Sequence, residues 1–326
     1  MARSLLTRRQ VLVQGVVGMA GLMAAHDTRA AAAGAAASAA SSAAAAGAGS
    51  LTIGGDLTVN RLGFGAMRIT GPGIWGAPKD PAEAREVLRR SIELGVNFID
   101  TADAYGPNVS EELIAAALYP YPRGLVIATK GGLTRPGANE WISDARPEHL
   151  QEACEGSLRR LKLERIDLYQ FHHIDPYVVL EYSIEALAEL QRAGKIRHIG
   201  VSNFSASELA RARRIAPIVS VQNQYNLSDR ASEEVLGVCA RERLAFIPWA
   251  PIAGGSADRL ERRAGGALEE AARAHGVGVL QIAIAWLLAK SPAMLPIPGT
   301  SSVAHLEQNV AAASLRLSAA ELAAIG

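Results

Sequence analysis

Several short stretches of this chain place polar, proton-transferring side chains where an apolar run stops. Phe98-Ile99-Asp100-Thr101-Ala102-Asp103-Ala104-Tyr105-Gly106 carries a carboxylate and a phenol in a D-x-x-x-x-Y spacing. Ile127-Ala128-Thr129-Lys130 ends on an amine, and Asp167-Leu168-Tyr169-Gln170-Phe171-His172-His173 ends on two imidazoles. Ile199-Gly200-Val201-Ser202-Asn203-Phe204 ends on a hydroxyl and an amide. Carboxylate, phenol, amine and imidazole are the groups proteins use as general acids and bases. Singly, each has an ordinary explanation. Asp100 could bond loop amides, Tyr105 could pack, Lys130 could be a solvated exit residue and His172 a satisfied interior histidine. They gain weight only if a fold brings them to one place.

The periodicity supplies such a fold. Leu51-Thr52-Ile53, a Gly54-Gly55 turn and Leu57-Thr58-Val59 read as a short hairpin. Brief apolar runs then recur at 62–67, 96–100, 125–130, 166–172, 198–202, 219–222, 245–250 and 294–298. Between them, 82–94, 147–161, 177–193 and 205–214 have helical spacing, with Pro147 suited to a first turn and Gly95 and Gly194 to helix exits. Eight strand–helix steps predict a single α/β (β/α)8 TIM barrel over residues 51–326, with the hairpin capping its bottom. A doubly wound sheet is disfavoured because no Gly-x-Gly-x-x-Gly turn follows the first strand. Barrel chemistry sits at the C-terminal strand ends, where Asp100, Tyr105, Lys130 and His172 fall.

On these motifs, in this order, the chain from about Leu51 to its C-terminus resembles the aldo-keto reductase family. The resemblance implies NAD(P)H-dependent reduction of aldehydes or ketones to alcohols. It makes Tyr105 the general acid, Lys130 the neighbour that lowers its pKa, Asp100 the carboxylate that fixes Lys130, and His172 the group that orients the carbonyl oxygen. A phenol with a pKa near 10 needs such help at neutral pH. His173 rivals His172, but side chains alternate along a strand, so one of the pair should point inward; the motif favours His172.

The same resemblance implies the cofactor positions. Ser202, Asn203 and Gln222 would bond the nicotinamide carboxamide, and Trp249 would stack on its ring. Gly299, Thr300, Ser301, Ser302, His305, Gln308 and Asn309 would hold the adenosine phosphates and adenine, using loop amides and a helix N-terminus. Members preferring NADP(H) often carry basic residues where this chain has Gly299 and His305. NADP(H) is the expected cofactor, with NAD(H) a possible one. The substrate loops are expected at 68–79 with Trp75, 131–143 with Trp141, and 252–265. With little chain beyond Leu317, an open mouth accepting small aldehydes is expected.

The first fifty residues read differently. Thr7-Arg8-Arg9-Gln10-Val11-Leu12, a weak apolar run to Ala25 and small residues such as Ala30-Ala31-Ala32 resemble a twin-arginine (Tat) export signal. The run is too short to span a membrane, which needs about 20 apolar residues. Residues 31–50 contain only Ala, Gly and Ser, so residues 1–50 are expected to be a leader outside the fold. Export would involve the Tat machinery and a periplasmic or extracellular location, where a tightly retained cofactor would be needed.

Residues 1–50 hold four Arg and one Asp of the chain's 33 basic and 32 acidic groups, leaving 29 and 31, or −2. That balance argues against nucleic acid and stable membrane association. Cys154 and Cys239 have no ligand spacing, so they read as packed thiols and no metal is expected. A monomer is the family default. Two other readings compete: a barrel enzyme forming a Schiff base on Lys130, and a cofactor-binding redox sensor with little turnover. The first leaves the cofactor residues without a purpose; the complete Asp100/Tyr105/Lys130/His172 set speaks against the second.

Overall fold

The computed structural model describes residues 44–255 and 257–326. The twin-arginine segment and the Ala30-Ala31-Ala32 site lie outside these residues. The body is a curled parallel sheet wrapped by helices, a TIM-like α/β barrel. Its strands are β3 (Phe64–Gly65), β4 (Phe98–Asp100), β5 (Val126–Gly131), β8 (Ile166–Phe171), β9 (Ile196–Ser202), β10 (Ile218–Gln222) and β11 (Ala245–Phe246). They pair in the order β11-β10-β9-β8-β5-β4-β3, every pairing parallel. Most of their residues are buried, as parallel strands covered on both faces require.

The expected eighth strand, 294–298, is not a strand. Pro296 and Pro298 lack the N–H groups a ladder needs. The segment nevertheless bonds to both edges of the sheet. Leu295 N–H donates to Phe246 O at 2.9 Å, and Gly63 N–H donates to Pro296 O at 2.9 Å. The ring therefore closes through an extended segment. The first and seventh strands are also shorter than their apolar runs. After Gly65 the chain winds into a 3-10 turn, Ala66–Ile69, and after Phe246 it meets Pro248 and a left-handed Ala250.

Helices fall close to their expected spans. Pro81–Glu93 is capped by Asp80, whose Oδ1 accepts from Ala82 N and Glu83 N. Pro147–Leu161 carries its proline in the first turn. Leu180–Arg192 starts later than expected because Asp175 Oδ1 first captures Tyr177 N–H in a turn. Ala206–Arg213 opens with a Ser205–Glu208 capping box. Among the described residues no single helix is long and apolar enough to cross a membrane.

A hairpin, β1 (Ser50–Ile53) with β2 (Leu57–Asn60), precedes the sheet. Its Ile53, Leu57 and Val59 join Phe98, Val126, Ala128, Leu168, Ile247 and Leu295 in one buried apolar cluster. The expectation that everything up to Ser50 stays outside the fold needs correction. Ala45–Ala48 forms a 3-10 turn whose Ala45 N–H donates to Leu94 O at 3.0 Å, and Ala45 and Ala48 are buried with Leu62, Leu88 and Leu94. Alanines that cannot build a core can still fill small gaps in one.

Candidate active site

The register brings the strand-end polar groups to one rim. Gly65 pairs with Asp100, Lys130 with Gln170, Gln170 with Gly200, and Ser202 with Gln222. At their centre Lys130 Nζ donates to Asp100 Oδ1 at 2.6 Å, to Thr101 O at 2.9 Å and to Tyr105 Oη at 3.2 Å. The other Asp100 oxygen accepts from Gln170 Nε2 and Gln222 Nε2, each at 2.8 Å. All of Asp100, Tyr105, Lys130 and His172 are buried. The His172 ring lies 5.9 Å from the Tyr105 ring, nearly perpendicular to it, and its Nδ1 has no hydrogen-bond partner among the described residues. The structure therefore assembles the four residues that the motifs single out.

Their proton affinities follow from burial against charge. Burial pulls the Lys130 ammonium down, but Asp100 and Tyr105 outweigh it and the net direction is up, so the amine stays charged. For Tyr105, burial pushes the phenol up; the Lys130 charge works against this without overcoming it. Lys130 lowers the phenol as expected, but the net direction is corrected to upward because burial raises it more. Burial, then Lys130, holds His172 well below the usual imidazole range, leaving a neutral ring. Asp103, two positions before Tyr105, is buried, its Oδ1 has no partner among the described residues, and burial aided by Glu111 raises its carboxyl to about 8. Cys154 and Cys239 are buried free thiols, each pushed by burial to about 12.

A cleft of about 1200 Å³ runs from these residues across the barrel mouth. Ser202, Asn203, Gln222, Trp249, Gly299, Thr300, Ser301, His305, Gln308 and Asn309 line it, as expected from sequence. Ser302 does not line it; its N–H donates to Thr300 Oγ1 at 3.1 Å, at the start of helix Val303–Ala311. Gln222 commits its amide N–H to Asp100 and leaves its carbonyl oxygen for other contacts. Trp249 is held by its Nε1 donating to Asn203 Oδ1 at 3.0 Å. Both His172 and His173 line the cleft, because strand alternation ends at Phe171. His173 is the exposed one, set at the rim with Nδ1 3.3 Å from Ser143 Oγ.

The cleft suits a dinucleotide. Its volume exceeds the roughly 300–1,000 Å³ of common ligand pockets. It offers amides beside a Trp at one end, hydroxyls in the middle and amides at the other. Thr300 and Ser301 just before helix Val303–Ala311, and His305, Gln308 and Asn309 on it, line this stretch, and the helix start has no side-chain cap among the described residues. The walls approach closely where Gly65 and Gly299 meet. A Cβ on Gly65 would stand 2.6 Å from Ile297 O, and one on Gly299 would collide with Gly65 O. Among the described residues no group of three His, Cys, Asp or Glu is placed to hold a metal ion.

Sequence reasoning missed three contributors. Gln170 was legible as a lone amide in an apolar strand. Arg68 lines the cleft. Arg135 lies with its guanidinium 3.6 Å from the Trp141 ring centroid and donates to the backbone oxygens of Gly73, Ile74, Ala104 and Glu140. It thus ties both Trp-bearing loops to the residue before Tyr105. A two-stranded turn, β6 (Leu133–Thr134) with β7 (Ile142–Ser143), sets Trp141 beside Tyr105 and His172, ring centroids 6.3 and 6.4 Å away.

A parallel barrel with a buried acid–base set opening onto a dinucleotide-sized cleft defines a nicotinamide-dependent oxidoreductase. The profile of the Aldo/keto reductase family matches residues 61–326, and the chain belongs to that family. It is 48% identical over 271 residues to an uncharacterized oxidoreductase of Schizosaccharomyces pombe, covering 83% of this chain and 87% of the relative. It is 43% identical over 270 residues to pyridoxine 4-dehydrogenase of Escherichia coli, covering 81% and 93%. A Klebsiella pneumoniae aldo-keto reductase solved with NADPH superposes with a TM-score of 0.71 at 28% identity, over 85% of this chain and 93% of that one. The chain is an NADP(H)-dependent oxidoreductase of carbonyl compounds.

Proposed function

We propose that Tyr105 is the proton donor in the reduction of an aldehyde or ketone at this site. The observation that carries the reading is the buried chain Asp100–Lys130–Tyr105, with Nζ 2.6 Å from the carboxylate and 3.2 Å from the phenol. NADPH, when bound, would supply the hydride for the carbonyl carbon and leave as NADP+. Tyr105 stays protonated until the carbonyl oxygen gathers charge, then gives up its Oη proton. The Lys130 ammonium stabilises the phenolate left behind, and Asp100 keeps that ammonium in place. Neutral His172 donates one hydrogen bond to the carbonyl oxygen and so orients it. Ser202, Asn203 and the free oxygen of Gln222 would hold the nicotinamide amide beside Trp249. Thr300, Ser301 and the Val303–Ala311 N-terminus would take phosphate, with His305, Gln308 and Asn309 at the adenosine end.

The test is titration with NADPH and with NADH, read by Trp quenching, then turnover with an aromatic aldehyde. Tyr105→Phe is expected to bind NADPH as wild type does and lose turnover by about 10²–10⁴-fold. Undiminished turnover in Tyr105→Phe would overturn its role as the acid. A covalent adduct trapped on Lys130 by borohydride would move the chemistry there instead.

A second reading narrows the substrate. One relative is a pyridoxine 4-dehydrogenase. Three rings, Tyr105, Trp141 and His172, meet nearly edge-on in the pocket here, which suits a planar aromatic alcohol and its aldehyde. Oxidation of pyridoxine with NADP+ checks this, and a strong preference for short aliphatic aldehydes would defeat it.

The hairpin reads as a cap on the barrel bottom, supported by its apolar residues packing beside Phe98 and Val126 at the N-terminal ends of β4 and β5. The residue order in 1–32 supports export through the Tat machinery to a periplasmic or extracellular location, with the catalytic body as a single monomeric domain. Recovery of the intact chain only from the cytoplasmic fraction would refute the export reading.

A further inference from the structure

We propose that Arg68 grips the diphosphate of the dinucleotide across the middle of the cleft. The inference rests on the nicotinamide reading above and adds a residue that the family motifs do not assign.

Arg68 sits on the 3-10 turn Ala66–Ile69, immediately after Gly65. That turn starts at the seam where Gly65 and Gly299 meet, so it stands beside the first residue of the Gly299–Ser301 loop. The side chain reaches from one wall towards the other. Its Cγ lies 3.7 Å from the position a Gly299 Cβ would take, and its Nη2 lies 3.9 Å from that of Gly254 on the facing loop. It is thus placed between the nicotinamide end, at Trp249 and Asn203, and the adenosine end, at Gln308 and Asn309.

Charge points the same way. Among the described residues lining the cleft, only Arg68 and Asp100 carry a full charge, and Asp100 is neutralised by Lys130. Arg68 forms no ion pair or hydrogen bond among the described residues. An exposed guanidinium with no carboxylate at a cleft for a polyanion retains all its donors for that ligand. Its planar fork matches two phosphate oxygens at once. No other Lys or Arg lines the cleft among the described residues, so Arg68 supplies cationic character that it otherwise lacks.

The test uses the whole chain and reads binding rather than turnover. Dissociation constants for NADPH and NADH are measured by Trp quenching in wild type, Arg68→Met and Arg68→Lys, at low and high salt. Arg68→Met is expected to weaken both cofactors by roughly 10- to 100-fold and to flatten the salt dependence. Arg68→Lys is expected to recover part of the loss. Unchanged melting temperatures would show that the variants are folded. Equal affinity in wild type and Arg68→Met overturns the proposal, as does a loss confined to NADPH, which would place Arg68 on the 2′-phosphate. Wild type that binds neither cofactor would instead defeat the nicotinamide reading, and this inference with it.

Discussion

Lys130 Nζ lies 2.6 Å from Asp100 Oδ1, and the two side chains are 0% and 2% exposed. A charge pair this deep holds together through its hydrogen bonds, since desolvation of both ions opposes it. The remaining Asp100 oxygen is bonded by two glutamine amides, so the carboxylate is fully engaged.

Removing the cation alone should therefore be costly. Lys130→Met leaves Asp100 buried without its ammonium, and a loss of about 3–5 kcal/mol is expected in urea denaturation. Adding Asp100→Asn should recover part of that loss, because an amide needs no counter-charge. A double variant no more stable than the single one would refute the pairing argument.

Asp103 gives the fold a pH signature. Burial raises its carboxyl to about 8, against about 4 in an unfolded chain. The folded protein holds this proton more tightly, so the contribution to stability is complete below about pH 4 and is lost as pH rises towards 8. Asp103→Asn mimics the protonated form and should flatten the decline in urea midpoint between those values. An identical slope in wild type and variant would show that the carboxyl ionises freely.

Arg135 should govern substrate affinity through the Trp141 ring it covers. Arg135→Leu frees the backbone oxygens of Gly73, Ile74, Ala104 and Glu140 together, and the KM for aromatic aldehydes is expected to rise about tenfold with a smaller change in kcat. Arg135→Lys should not restore it, because an ammonium cannot serve several carbonyls from one planar fork. Equal KM values for aromatic and aliphatic aldehydes in both proteins would remove Trp141 from recognition.

Asp100, Lys130 and His172 were legible as candidates because each falls where an apolar run stops and parallel strands align their ends, and Tyr105 was legible by its spacing from Asp100. Strand lengths were less so: 245–250 and 294–298 are apolar enough for strands, but their prolines interrupt the ladder. Ala45–Ala48 was invisible for the opposite reason, since its composition matches the leader and only the gap beside Leu94 explains its order. Arg135 depends on partners distant in the chain, which local patterns do not encode. The direction of the Tyr105 shift was misjudged because sequence reveals the neighbouring charge but not the depth of burial.

The donors that meet at Asp100 come from β5, β8 and β10, so its carboxylate acts as a cross-brace within the sheet. Bracing of this kind assigns precision to the staves of the barrel and leaves the loops out of it. The loops that carry Trp75 and Trp141 are held by a separate clasp, Arg135, so the pocket wall and the barrel brace rest on different contacts.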